Sequence, residues 1–178
     1  MELKEEKLAR AISAFSRRQI IRLLSKSSLT VKEVSEKTKM SVSLASRHLK
    51  MLYDLGFLNL KKEFPYKYYS LKNKQLYSLI INYDLNIKSS EDDEKLSRAI
   101  NAYSRRQILR LLSKNSLNVK VIANKTKMSV SLASRHLKML HDLGFLVVKK
   151  EFPFKYYSLK NKSLIKLLQT YDETIKII

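Results

Sequence analysis

The side chains best suited to specific chemistry lie in a stretch of twelve residues that occurs twice, at 41–52 and again at 129–140. Apolar residues recur within it at the spacing of an amphipathic helix, with Ala45, His48, Leu49 and Leu52 turned to a core. The opposite face is then small, polar and basic. It carries Val42, Ser43, Ser46, Arg47 and Lys50 in the first copy and Val130, Ser131, Ser134, Arg135 and Lys138 in the second.

A helix face of this kind suits the reading of double-stranded DNA. Small side chains let a helix sit deep in the major groove, where Arg47 and Arg135 can each donate two hydrogen bonds to a guanine edge. Val42 can contact a thymine methyl group, and Lys50 can reach a phosphate. The alternative is an ordinary solvated face of a helix in a small core, because serine-rich polar faces are common.

A second basic set follows each of these stretches. Residues 57–71 are rich in residue types that suit strands and contain a Phe-Pro turn, which predicts a β-hairpin. We expect its lysines to contact phosphates beside the groove. A charged edge strand kept soluble by lysine is the alternative. The lysines are Lys61, Lys62 and Lys67 in the first copy and Lys149, Lys150 and Lys155 in the second.

The tip of each hairpin is aromatic, Phe64-Pro-Tyr66 in one copy and Phe152-Pro-Phe154 in the other. An exposed aromatic ring or proline there can wedge between bases and bend a duplex. We expect the first phenylalanine of each copy to pack beneath its own hairpin as core. Tyr66 and Phe154 are then the candidate wedges, and unchanged DNA bending after replacing both by serine would refute that hypothesis.

These features occur twice because the chain is a duplication. Residues 7–90 align with 95–178 at a constant offset of 88, with 60 identities in 84 pairs, and the longest unbroken match begins at Lys37 and ends at Leu52. The short acidic stretch Ser89-Ser-Glu-Asp-Asp93 cannot form a core and is predicted to connect the copies. The sequence therefore predicts two domains, residues 1–88 and 89–178.

Each repeat has the pattern of four helices, a hairpin and a fifth helix. Thr30 and Glu33 have the spacing of a capping box at the start of the third helix, while Asn118 and Val121 keep only the cap in the second copy. Gly56 can supply the left-handed end of the fourth helix. The expected fold class is mostly α with small β-hairpin wings, as two tandem winged helix-turn-helix domains.

The stretch Ser41-Val-Ser-Leu-Ala-Ser-Arg-His-Leu-Lys-Met-Leu52, followed by Asp54-Leu-Gly-Phe-Leu58 and the hairpin, resembles the recognition-helix and wing signature of ArsR-like winged-helix repressors. The likeness covers nearly all of each repeat. The wing tips of this chain depart from the family in lacking glycine and arginine. The resemblance implies a DNA-binding protein. Such proteins normally dimerise to present two recognition helices about 34 Å apart.

The charge of the chain points to the same partner. There are 36 Lys and Arg against 16 Asp and Glu, a net charge of +20, and each half of the chain carries +10. This excess favours a polyanionic partner. Nucleic acid is preferred over an anionic membrane surface, because the basic residues spread over the whole chain instead of lining one amphipathic face. RNA binding and a protein-interaction role are lesser alternatives.

Other classes of function are disfavoured by what the sequence lacks. It has no cysteine, two glycines and three histidines, so we expect no thiolate metal site, no phosphate-binding glycine loop and no nucleophile with its base. We therefore expect no enzyme, no cofactor and no metal ion. No stretch approaches the roughly 20 apolar residues that span a bilayer, and we expect a cytoplasmic protein of the nucleoid with no membrane association.

Two functions follow from these features. The first is a transcriptional regulator without a metal-sensing site. One chain then supplies both DNA-binding heads of a covalent pseudo-dimer, one head per repeat, and both heads prefer the same half-site. The second is an abundant nucleoid or chromatin protein that coats, bends or bridges DNA with little sequence preference, which the high charge favours. Apolar residues that we expect to be exposed on the last helix, Ile175, Ile177 and Ile178, leave a further homodimer open.

Overall fold

The computed structural model describes residues 2–177, the side chain of residue 2 excepted, and divides them into two compact units. The first unit comprises residues up to 84 together with residues from 170 onward, and the second comprises residues 85–169. The expected division after residue 88 assigned the whole last helix to the second domain. In the structure the end of that helix belongs to the first unit.

The first unit begins with four helices, and the hairpin and the fifth helix follow in the predicted order. The helices are α1 (Glu2–Ile12), α2 (Phe15–Leu24), α3 (Val31–Thr38) and α4 (Val42–Asp54). The antiparallel strands β1 (Leu58–Glu63) and β2 (Tyr66–Leu71) form the hairpin, and α5 (Gln75–Asp84) comes after it. Glu63 lies opposite Tyr66, so Phe64 and Pro65 form a two-residue turn.

The second unit repeats this order and adds one short strand. Its elements are α6 (Ser90–Ile100), α7 (Tyr103–Leu112), β3 (Leu117–Asn118), α8 (Val119–Thr126), α9 (Val130–Asp142), β4 (Leu146–Glu151), β5 (Phe154–Leu159) and α10 (Ser163–Ile177). The strands form a sheet of order β3-β5-β4. In the first unit a single bridge between Leu29 and Tyr69 takes the place of β3. The predicted fold class, two tandem winged helix-turn-helix domains, is confirmed.

The local signals that end and begin helices are also confirmed. The Thr30 hydroxyl accepts a hydrogen bond from the Glu33 backbone amide at 3.3 Å, and the Thr30 amide donates to the Glu33 carboxylate at 2.7 Å. These two bonds are the reciprocal capping box. Asn118 caps α8 alone, accepting from the Val121 amide at 3.0 Å. Gly56 follows α4 with φ at +86°, a conformation that suits glycine.

The acidic stretch that was expected to connect the copies lies instead at the start of α6. The Ser89 hydroxyl caps this helix by accepting from the Asp92 amide at 3.1 Å, and the first turn holds Glu91, Asp92 and Asp93. Carboxylates in a first turn are stabilised by the unpaired amides and the dipole at a helix N-terminus. Residues 85–89 form the actual connection between α5 and α6.

The C-terminal part of α10 belongs to the first unit because its side chains bond there. The buried Tyr171 hydroxyl donates to the Glu5 carbonyl oxygen at 2.7 Å, and the Asn82 amide donates to the Thr170 hydroxyl at 2.7 Å. Ile175 was expected to be exposed and is buried instead, whereas Ile177 is 56% exposed. Ile178 lies outside the described residues.

Candidate nucleic-acid interface

Helix α4 places the five predicted side chains of the first copy on one exposed face. The Ser41 hydroxyl caps the helix by accepting from the Leu44 amide at 3.2 Å. Ala45, Leu49 and Leu52 are fully buried on the inner side. On the outer side Val42 is 57% exposed, and Ser43, Ser46, Arg47 and Lys50 are exposed as well.

Helix α9 repeats this arrangement in the second unit. The Ser129 hydroxyl accepts from the Leu132 amide at 3.2 Å, and Val130 is 50% exposed. Each unit therefore presents the same small, polar and basic helix face to solvent. The inner side of α9 buries Ala133, Leu137 and Leu140, and the outer side exposes Ser131, Ser134, Arg135 and Lys138.

His48 was expected to face the core and is only half-buried, with Arg17 and Arg47 near it. Burial lowers the pKa of His48 below its ordinary value, and the positive charges of Arg17 and Arg47 lower it further. His136 is affected in the same way by burial and then by Arg105 and Arg135. Both imidazoles therefore stay neutral in the folded protein at neutral pH. Sequence analysis missed the arginines of the second helix because their spacing relative to α4 is set only by tertiary structure.

The lowered pKa values of His48 and His136 make the stability of the folded protein depend on pH. The unfolded chain takes up protons at these histidines near about pH 6.5, and the folded chain does so only at lower pH. The stability they contribute is therefore present above about pH 6.5 and is lost as the pH falls through the folded pKa values. Replacing His48 and His136 by glutamine should flatten the fall in melting temperature between about pH 7.5 and pH 5.5. His141→Gln, an exposed position, is the control; an unchanged slope in the double variant would contradict the prediction.

The wing lysines are exposed and fall into two kinds. Lys61 forms an ion pair with Glu63 at 2.5 Å, and Lys149 forms one with Glu151 at 2.8 Å. Lys62 and Lys67, by contrast, lie directly opposite each other on β1 and β2. Like charges at directly opposite strand positions destabilise a hairpin, and backbone phosphates beside them would offset this repulsion. The second hairpin has the same arrangement, with Lys150 opposite Lys155.

Removing one lysine of each opposed pair should therefore have two effects of opposite sign. We expect the Lys62→Gln, Lys150→Gln double variant to be more stable than the wild type by about 0.2–1 kcal/mol per hairpin. Its DNA affinity should depend less on salt, because the logarithmic slope falls by about 0.9 for each phosphate that the protein no longer neutralises. Urea denaturation and titrations at several salt concentrations measure both.

The matched control for this pair of effects is Lys61→Gln with Lys149→Gln. These lysines are also exposed, but each has a carboxylate partner, so their removal should not stabilise the hairpins. A salt slope that is unchanged in the Lys62→Gln, Lys150→Gln variant would show that the opposed lysines do not contact phosphates.

The wing tips differ from the expectation. Phe64 and Phe152 do not pack beneath their hairpins; each is 102% exposed relative to a reference residue. The prediction of a core role was wrong because a two-residue turn lies beyond the last paired residues, where no sheet face exists to cover a ring. Tyr66 is 59% exposed, with its ring edge-on to Tyr68 at 6.4 Å between centroids.

The surroundings of the two exposed helix faces are not the same. In the second unit a cleft of about 560 Å³ brings Glu91 and Glu94 of α6 together with Arg135 and Lys138 of α9. At the corresponding sequence positions the first copy has Leu3 and Glu6. The second recognition helix therefore has one more carboxylate in its neighbourhood. The near identity of α4 and α9 in sequence does not reveal this difference, because it lies in the first helix of each repeat.

The elements, the caps and the exposed faces together define a winged helix-turn-helix protein. A family model described as "Bacterial regulatory protein, arsR family" matches residues 16–59 and again residues 104–147. Each match begins in the second helix of a repeat and ends in the first strand of its hairpin. The chain is therefore a tandem duplication of an ArsR-like winged helix-turn-helix domain, the DNA-binding fold of ArsR-family transcription regulators.

Solved structures of similar proteins match over about half of the chain. NolR from Sinorhizobium fredii is 28% identical, with a TM-score of 0.43, over 49% of this chain and 94% of its own. Reduced HlyU from Vibrio cholerae is 29% identical, with a TM-score of 0.43, over 48% and 90%. The homodimeric DNA-binding domain of a possible ArsR-family regulator from Mycobacterium bovis is 22% identical, with a TM-score of 0.41, over 59% and 86%.

Curated proteins, by contrast, include no match to this sequence. Among residues 2–177, no helix combines the length and apolar character needed to cross a membrane. Within the same described range, histidine, aspartate and glutamate side chains do not gather in a group of three or more that could hold a metal ion.

Proposed function

We propose that this chain binds double-stranded DNA and regulates transcription in the cytoplasm, with α4 and α9 in the major groove and the hairpins on the phosphate backbone. The observation that carries the proposal is the identical exposed face of the two helices, each with one arginine, one lysine and small side chains around them. A face of this composition can approach base edges closely, and its arginine has the geometry to read guanine.

The duplication supplies two recognition helices without a second chain. Winged-helix and other helix-turn-helix proteins usually dimerise to occupy two half-sites, and here both heads lie in one polypeptide. Residues 37–52 are identical to 125–140, so the two heads should prefer the same half-site. The charge that differs beside the second recognition helix, Glu91 in place of Leu3, is paired with Lys95 at 2.5 Å, so the two heads should bind with similar strength.

We also propose that regulation does not depend on a metal ion. Cysteine is absent, and two of the three histidines, His48 and His136, lie on the inner side of the recognition helices with lowered pKa values. DNA affinity should therefore be the same in the presence of excess Zn²⁺ or of a chelator. A change of more than about tenfold between these conditions, beyond about 1.4 kcal/mol, would reject this part of the proposal.

A second candidate function is an architectural protein of low sequence specificity. The observation that favours it is the charge, +20 for the chain, with opposed lysine pairs on both hairpins and one arginine on each recognition face. Such a protein obtains its affinity from released counterions rather than from base contacts.

One experiment separates the two candidates. Duplexes bound by the full chain are selected from a random pool at about 150 mM salt, and the affinity for the selected sequence is compared with that for its scrambled version. A two-part motif with a preference of at least about a thousandfold supports the regulator. A featureless pool with nearly equal affinities supports the architectural protein, and no binding of duplex DNA at all rejects both.

A further inference from the structure

The strongest unexplained feature of the molecule is the phenylalanine at the tip of each wing. Phe64 and Phe152 are the most exposed of the large apolar side chains in the described residues, at 102% each. Burying a phenylalanine side chain is worth about 1.5–3 kcal/mol, a gain that the free protein forgoes in both units. An apolar ring held fully in water at a tight turn indicates a surface that is completed by a partner.

The residues around each ring identify the chemistry of that partner. Lys62 and Lys67 lie directly opposite each other, one residue pair behind Glu63 and Tyr66, which flank the turn, and none of the described side chains covers Phe64. A ring that projects beyond opposed cations fits a partner with an apolar interior between two negatively charged edges. The minor groove of duplex DNA, with base planes between two phosphate backbones, has this character.

The neighbouring aromatic residues Tyr66 and Phe154 are less exposed, at 59% and 41%. Tyr66 and Phe154 pack edge-on against Tyr68 and Tyr156 at 6.4 and 6.5 Å between ring centroids. Their rings lean along the sheet instead of projecting from the turn, so they support the hairpin. The wedge function that the sequence suggested for Tyr66 and Phe154 is therefore better assigned to Phe64 and Phe152.

We propose that Phe64 and Phe152 insert between adjacent base pairs from the minor groove and bend the duplex at two places. This inference rests on the proposed binding of double-stranded DNA. Apolar side chains inserted at a base step unstack it and kink DNA by about 20–90°, and pyrimidine–purine steps such as TA yield most easily. Each wing then contributes a kink, and the lysines behind the ring hold the two backbones beside it.

A tryptophan at the tip reports insertion directly, since the chain contains no tryptophan of its own. Phe64→Trp and Phe152→Trp, made separately, each give a single emitter whose fluorescence is quenched when its indole stacks on a base. We expect the emission to be quenched on saturating duplex, because an inserted ring stacks on the neighbouring bases. Leu85→Trp, at a residue 67% exposed outside the wings, is the control and should keep its emission.

The consequence for DNA shape is tested with a duplex labelled at both ends for energy transfer. The wild type should shorten the end-to-end distance, the Phe64→Ser, Phe152→Ser variant should bind without shortening it, and the corresponding leucine variant should retain bending, because leucine is also an effective wedge. Removing the rings should change affinity less than about tenfold, since the base step then no longer has to be unstacked. Leu85→Ser controls for loss of exposed apolar surface.

The outcomes keep this inference apart from the proposed function. Binding without any bending by the wild type, or equal bending by the serine variant, overturns the wedge while leaving DNA binding intact. Quenching or a spectral shift of the Phe64→Trp emission on vesicles of anionic phospholipid, with no change on duplex, overturns it in favour of a membrane surface. Absence of duplex binding by the wild type rejects the proposed function itself.

Discussion

Replacing Arg47 and Arg135 together by alanine should lower affinity for the selected DNA site by roughly 10²-fold to 10⁴-fold, because each arginine that reads a guanine edge contributes about 1–3 kcal/mol of discrimination. The fold should be retained. Both side chains are exposed on the outer faces of α4 and α9, and substitutions at such positions usually change stability by less than about 0.5 kcal/mol. Titrations with the selected and the scrambled duplex measure affinity and discrimination, and melting curves measure stability.

The single variants should be nearly equal. The cleft beside Arg135 is lined by Lys95 and Arg98 as well as by Glu91 and Glu94, and Glu91, the only one of these four whose counterpart in the first copy differs in charge, is paired with Lys95 at 2.5 Å. We therefore expect Arg47→Ala and Arg135→Ala to cost similar affinity. Lys50→Ala is the matched control, since removal of a phosphate-binding side chain should weaken binding to both duplexes alike. If Arg47→Ala does so too, the arginine does not read sequence.

The sequence predicted those parts of the fold that short-range rules determine. The capping box of Thr30 and Glu33 and the glycine at 56 involve residues within one turn of each other, so their types and spacing suffice. The exposed face of α4 follows from helical periodicity alone. The glycine and the exposed helix face recur in the second copy, whereas the capping box there is reduced to the Asn118 cap.

Other features depend on tertiary contacts and could not be read from spacing. The exposure of Phe64 depends on where strand pairing ends, and the aromatic character of that residue suggested burial. Residues from Thr170 onward follow the apolar periodicity of a closing helix, which does not say which unit their inner face covers. The acidic start of α6 was predicted to be a connection because it is polar. Its residues also suit the first turn of a helix capped by Ser89.

The buried arginine of the second helix is another such feature, because an arginine in sequence is ordinarily assigned to the surface. Arg18 is 0% exposed. Its Nη1 donates to the Ile12 carbonyl oxygen at 2.7 Å, and its guanidinium carbon lies 4.3 Å from the centroid of the Tyr83 ring. One side chain therefore joins the end of α1, the start of α2 and the last turn of α5. In the second unit Arg106 has the same burial and donates to the Ile100 carbonyl at 2.6 Å.

Replacing Arg18 by alanine should destabilise the first unit by about 3–5 kcal/mol. The change removes a large buried side chain, leaves the Ile12 carbonyl without this donor and removes the cation from the face of Tyr83. Urea denaturation followed by circular dichroism measures the loss, and Arg106→Ala should produce the same loss in the second unit. Arg10→Ala, at an exposed position on α1, is the control and should change stability by less than about 0.5 kcal/mol.

The Arg18→Met variant separates the contribution of the side chain's size from that of its hydrogen bond and charge. It restores most of the volume but neither the hydrogen bond nor the charge, and buried ionic groups can often be replaced by apolar ones of similar size without loss. If the hydrogen bond to Ile12 and the contact with Tyr83 outweigh the desolvation of the guanidinium, Arg18→Met should remain about 1–3 kcal/mol less stable than the wild type. If the Arg18→Met variant is as stable as the wild type, Arg18 stabilises the core through its size alone.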